Sequence, residues 1–134
     1  IEESAAYVSL AHLRVIEELI GKPVQGGVLT GGAAKGQLWP QIVADTLGIP
    51  LQIPVVEEST ALGAAICAGV GAGFWKGTDE GAASVAAFAR TVEPQPEAHA
   101  TYRQLAAKWL EVYRRSLELV GPGLLRPLWR AAGT

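Results

Sequence analysis

The chain has 134 residues, 49% hydrophobic and 18% charged, with a formal charge of -2 and a single cysteine, Cys67. That length carries one domain with a real core, since a chain of roughly 150 residues buries about 68–70% of its unfolded surface. The composition supplies no basic field to hold DNA or RNA and no internal disulfide. No charged segment followed by an apolar one opens the chain as a secretion signal would, so a cytoplasmic protein is expected.

Residues 1–20 place Ile1, Ala5, Val8, Val15, Ile16 and Leu19 near a 3.6-residue period, broken at His12, which predicts an amphipathic helix ended by Gly21 and Pro23. The chain holds no methionine and begins inside this helix, so a piece of a longer protein is expected. Residues 24–30 are short, apolar and bracketed by glycines, as a buried strand is. Leu38, Ile42, Val43 and Leu47 return to helical spacing, closed by Gly48 and Pro50. Residues 51–56 read as a second buried strand, and strand, helix, strand in this order predicts a right-handed parallel crossover within an α/β sheet.

Thr60 suits the N-cap of the following run, 61–75, which is uncharged for 15 residues. A membrane span needs about 20, so a buried helix is predicted, its alanines and glycines admitting another backbone. Residues 76–93 carry little pattern beyond a short helix opened by Thr78, Asp79 and Glu80. Pro94 and Pro96 divide a body, 1–93, from a helical tail, 94–134. In that tail Tyr102, Leu105, Trp109, Val112, Leu117 and Val120 form a stripe that should pack on the body. Gly121, Pro122 and Gly123 stop the helix, and LLRPLWRAAGT is expected to be irregular.

The adjacent glycines Gly31 and Gly32, between strand and helix, are the candidate site. A P-loop needs Gly-Lys-Ser/Thr after the second glycine, but Lys35 precedes Gly36 and Gln37 follows it. A dinucleotide fingerprint needs a third-position glycine where Ala33 stands. Two readings remain: backbone amides set against a nucleotide, or a tight turn. Lys35 either meets a phosphate or is solvated. His12 and His99 lack partners at metal-ligand spacing, and His12 is expected to pack on its helix. Cys67 has no charged neighbour and reads as a buried structural thiol. Glu57 and Glu58 favour the next helix N-terminus. Trp39, Trp75, Trp109 and Trp129 are expected in packing, with Trp39 also placed to border a base.

TGGAAKGQLWPQIVADTLGIPLQIP followed by EESTALGAAICAGVGAGFW resembles the carboxyl-terminal part of the FGGY family of carbohydrate kinases, which includes glycerol, xylulose and ribulose kinases. Within it, KGQLW, the segment EPQPEAHATYRQLAAKWLEVYRRSLELV and the closing LLRPLWRAAGT are similar to the autoinducer-2 kinase group. The resemblance implies an α/β fold, part of the actin-like ATPase (ribonuclease H-like) second domain, which binds ATP while a first domain binds the sugar. Gly31, Gly32 and Ala33 would approach the α-phosphate and ribose by backbone. Gly36 stands where some members use asparagine on adenine, and Lys35, Gln37 or a backbone group would substitute. The helix over 61–75 would lie beneath the turn.

The reaction so implied passes the γ-phosphate of ATP, with Mg²⁺, to the terminal hydroxyl of linear dihydroxypentanedione. Its catalytic aspartate and phosphate loops would lie outside this chain, which alone is expected to be inactive. A kinase of another polyol or ketose, and a noncatalytic actin-like association module, are the alternatives. Two strands cannot complete the five-stranded actin-like sheet, so a homodimer, a strand swap or a proteolytic fragment is expected.

Overall fold

The computed structural model describes residues 2–56, 58–120 and 122–124. Its elements run α1 (Glu2–Ile20), β1 (Gly27–Val28), a 3-10 turn (Gly32–Ala34), α2 (Leu38–Leu47), β2 (Leu51–Pro54), α3 (Ser59–Gly71), α4 (Thr78–Val85), β3 (Phe88–Val92) and α5 (Pro96–Val120). The strands form one sheet in the order β1-β2-β3. β1 and β2 are parallel, with Gly27 beside Leu51 and Val28 beside Gln52. That is the expected crossover, with α2 bridging the pair over the predicted span.

Helix α2 stops where glycine allows it to. Gly48 takes φ 71°, its N–H closes onto the Ala44 carbonyl at 2.8 Å, and Pro50 cannot continue the helix. Ile42, Val43 and Ala44 pack on Leu51, Ile53 and Val92 of the sheet and on Ala6 of α1. Each large apolar side chain buried in this way contributes about 1.5–3 kcal/mol. A smaller cluster, Tyr7, Leu10 and Ala106, joins α1 to α5, with Trp109 at 5.9 Å from Tyr7 between ring centroids. Helix α5 packs on α1 and α2 through Tyr102, Ala106 and Trp109; of the expected stripe, Leu105, Val112 and Leu117 are exposed instead, and Ala106 was not part of it.

A polar staple fixes where α5 begins. Asp45 on α2 is 4% exposed; its Oδ1 accepts the Gln95 N–H at 2.7 Å and a Gln41 side-chain N–H at 2.9 Å. The neighbouring carbonyl of the same residue pairs with His99 Nδ1 at 2.8 Å. The imidazole therefore lies over Gly48, where any Cβ would collide with it.

Several expectations are corrected. A third strand, β3, runs antiparallel to β2 within the segment that carried little pattern. The buried side of α1 is Ala6, Tyr7 and Leu10, whereas Val8, Val15, Ile16 and Leu19 are exposed and His12 is exposed too. Periodicity finds two apolar stripes on this helix and does not say which one meets α2 and α5. Helix α3 has no buried residue, and Cys67 is exposed, because among the described residues α3 packs mainly on the short α4. It begins at Ser59, with Glu58 rather than Thr60 at the N-cap position and no side-chain cap bond. Of its glycines, Gly69 lies under the Trp75 ring too closely for a Cβ, and Gly81 of α4 is pressed by Ile66 and the same ring. Glu57, Gly121, Trp129 and the rest of the closing segment lie outside the described residues.

Candidate functional site

The loop joining β1 to α2 is built from its hydrogen bonds outward. Leu29 extends the parallel pairing by donating its N–H to the Gln52 carbonyl at 3.0 Å. Gly31 then adopts φ 79° and ψ -169°, a region open essentially to glycine alone. The chain turns once as a 3-10 helix, with Ala34 N–H on the Gly31 carbonyl at 3.0 Å and Lys35 N–H on that of Gly32 at 3.3 Å. Ala34 is buried in the core and anchors the turn, while Gly32 and Ala33 are exposed. Their two N–H groups precede the first internal bond of the turn, and such donors take partners from outside the helix.

Of the six candidate residues, Gly32, Ala33, Lys35, Gly36 and Gln37 are exposed and Gly31 is half-buried. Gly31 and Lys35 line a cavity of about 190 Å³ together with Thr30, Ala34, Ile53, Pro54, Val55, Ala89 and Arg90. Gly32, Ala33, Gly36 and Gln37 are not among its lining residues. Gln37 is exposed at the N-cap position of α2, and Trp39 packs partly buried against the core. Ligand pockets typically occupy about 300–1,000 Å³, so this cavity is smaller than most. The helix expected beneath the turn packs mainly on α4, and its N-terminal end comes near Thr30. Ser59 and Leu62 share a separate apolar cavity of about 180 Å³ with Val28, Thr30 and Phe88.

Sequence reading missed Arg90. Its guanidinium Nη2 donates to the carbonyl oxygens of Ala34 at 3.3 Å and Gly36 at 2.5 Å, bracketing Lys35. The arginine is aimed there by β3: Arg90 pairs with Ile53 and Val92 with Leu51, two residues apart on one face. The register then jumps from Ile53–Arg90 to Pro54–Phe88, skipping Ala89. Such bulges re-aim side chains next to functional sites. The available signal was a lone arginine two residues before Val92 in FARTV, diluted by the surrounding alanines. With Lys35 it places two cations at the cavity, whose described lining includes no acidic side chain.

Among the described residues no group of three or more His, Cys, Asp or Glu is arranged to hold a metal ion, and no helix is long and apolar enough to cross a membrane.

A glycine turn after the first strand of a parallel β-α-β unit, with Lys35 and Arg90 beside it, belongs to a mixed α/β domain. Residues 1–72 match the FGGY family of carbohydrate kinases, C-terminal domain, and the chain belongs to that family. It is 44% identical over 133 residues to the autoinducer-2 kinase of Yersinia enterocolitica, covering 99% of this chain and 25% of that protein. The autoinducer-2 kinase of Escherichia coli matches to the same extent. Among solved structures, xylulose kinase from Rhodospirillum rubrum superposes with a TM-score of 0.69 at 25% identity, over 85% of this chain and 23% of that one. The chain thus spans about a quarter of the length of the curated relatives it matches.

Proposed function

We propose that this chain is the ATP-binding half of a carbohydrate kinase, and that the intact enzyme is an autoinducer-2 kinase. It would pass the γ-phosphate of ATP to the terminal hydroxyl of linear dihydroxypentanedione in the cytoplasm. The substrate rests on the 44% identity to proteins bearing that name across 99% of the chain. The nucleotide role rests on the loop itself: a glycine-only turn with two exposed N–H groups beside two cations.

In this reading Gly31 sets the direction of the loop, and Gly32 and Ala33 present backbone N–H groups to the α-phosphate and ribose. Lys35 adds charge, and Gly36 and Gln37 border the adenine. Helix-start amides and fixed cations favour a phosphate without moving during transfer. The nucleotide supplies the phosphoryl group, and Mg²⁺ would come with it to offset negative charge on the phosphates. No residue of this chain is assigned to the metal or to general-base catalysis. The cavity fits part of a nucleotide, so the sugar and a second wall belong to the rest of the enzyme.

Calorimetric titration of ADP and of ATP with Mg²⁺ into the complete gene product tests the nucleotide role. Phosphorylation of dihydroxypentanedione measured against xylulose, ribulose and glycerol tests the substrate. Binding with preference for dihydroxypentanedione supports the reading. Binding with preference for a pentulose or polyol replaces the substrate, and the xylulose kinase likeness makes that the second reading. Absence of any adenine nucleotide binding would leave a noncatalytic association module.

A further inference from the structure

The nucleotide-facing loop lies within residues 1–72, yet the side chain that clamps it comes from β3, beyond that matched stretch. We infer that Arg90 is a positioning residue for the nucleotide: its guanidinium fixes the backbone of 31–37 and holds a positive charge at the phosphate-facing cavity. The inference rests on the ATP-binding reading above and deepens it.

Three observations carry it. First, the contacts are specific. One guanidinium nitrogen meets the carbonyls of Ala34 and Gly36, 56 and 54 residues away in sequence, and nothing local in the chain brings them together. Second, these carbonyls lie at the end of the 3-10 turn, opposite the Gly32 and Ala33 amides that open it. Holding one end of a one-turn helix sets the orientation of the other, because the turn has only two internal bonds. Third, Arg90 is half-buried and lines the same cavity as Gly31 and Lys35, so its charge is less screened than that of an exposed side chain.

Arginine suits this task better than lysine. Its terminal nitrogen carries two N–H groups, one for each carbonyl, and the guanidinium stays charged at any working pH. Lysine would keep the charge on a side chain one bond shorter, which reaches the carbonyls less well. Glutamine would keep a donor and lose the charge.

The test uses the complete gene product with R90A, R90K and R90Q. Hydrogen bonds from a charged donor are among the stronger ones, so R90A should weaken ADP binding roughly 10-fold or more. R90K should recover part of that affinity and R90Q less. KM for ATP should rise while KM for the sugar stays within about 2-fold, a split that global loosening would not produce. Amide exchange of residues 34–37 should speed up in R90A and slow again when ADP is added.

Unchanged ADP affinity in R90A overturns the inference and leaves the nucleotide reading standing. Equal loss of nucleotide and sugar affinity, with a lowered unfolding midpoint in R90K as well as R90A, also overturns it and assigns Arg90 to stability alone. A wild-type protein that binds no adenine nucleotide overturns the nucleotide reading and the inference with it.

Discussion

Gly31→Ala isolates backbone strain from steric conflict. At φ 79° and ψ -169° glycine is the one residue without penalty, and a Cβ built at Gly31 meets no other atom within 4 Å. The whole cost is therefore conformational, about 1–3 kcal/mol for a side chain held in that region. Much of it can be relieved if the loop abandons its turn, since the flanking residues are exposed. The expected result is a small change in unfolding midpoint with ADP affinity reduced by roughly 5- to 150-fold, the same free energy expressed in binding. Gly32 is the matched control. Its φ is ordinary and its Cβ position is open, so Gly32→Val should leave the fold intact, and any loss of ADP binding must come from contact with the ligand. Titration calorimetry and thermal unfolding of the complete gene product read both. Full ADP affinity in Gly31→Ala would refute the argument that this backbone geometry forms the site.

Gly48→Ala meets both a left-handed backbone and the His99 ring, and should lower stability by about 1–3 kcal/mol; adding His99→Ala should recover part of it if the ring supplies the clash. Asp45→Ala removes the buried carboxylate that accepts the Gln95 N–H, costing about 1–3 kcal/mol in chemical denaturation, and α5 should detach first in amide exchange. Burial raises the Tyr7 and Tyr102 phenols above the ordinary tyrosine range, with Glu3 adding to each and Tyr102 and Asp45 assisting. A raised folded value means the stabilisation is fully present below about pH 10 and is lost as pH rises through the folded value. Thermal unfolding against alkaline pH should show the α1–α5 contact weakening there, and a flat profile would contradict the burial.

Much of this molecule is local and was therefore legible. Helix α2 is marked at both ends by punctuation, with Gly36 and Gln37 before it and Gly48 and Pro50 after it, and its core face follows from spacing. The glycine turn announces itself for the same reason. What spacing could not show is which of two stripes on α1 meets a partner, because partner choice is a property of the fold and not of the helix. Strand β3 hid among alanines, whose small side chains give neither a helical nor an alternating signal strong enough to read. Helix α3 looked buried because small apolar residues compose it, yet of its glycines only Gly69 is pressed by another side chain, that of Trp75. Arg90 was invisible for the most general cause: its meaning lies in two carbonyls more than 50 residues upstream.

That separation also sets an order of events. During synthesis the glycine turn leaves the ribosome well before Arg90 does, and at about 5–20 residues per second the intervening segment takes seconds to appear. Until β3 docks beside β2, the loop carries its two short internal bonds and no clamp. If the loop binds nucleotide as proposed, that competence would come only after β3 has docked, and adenine nucleotide would favour chains in which the clamp has formed.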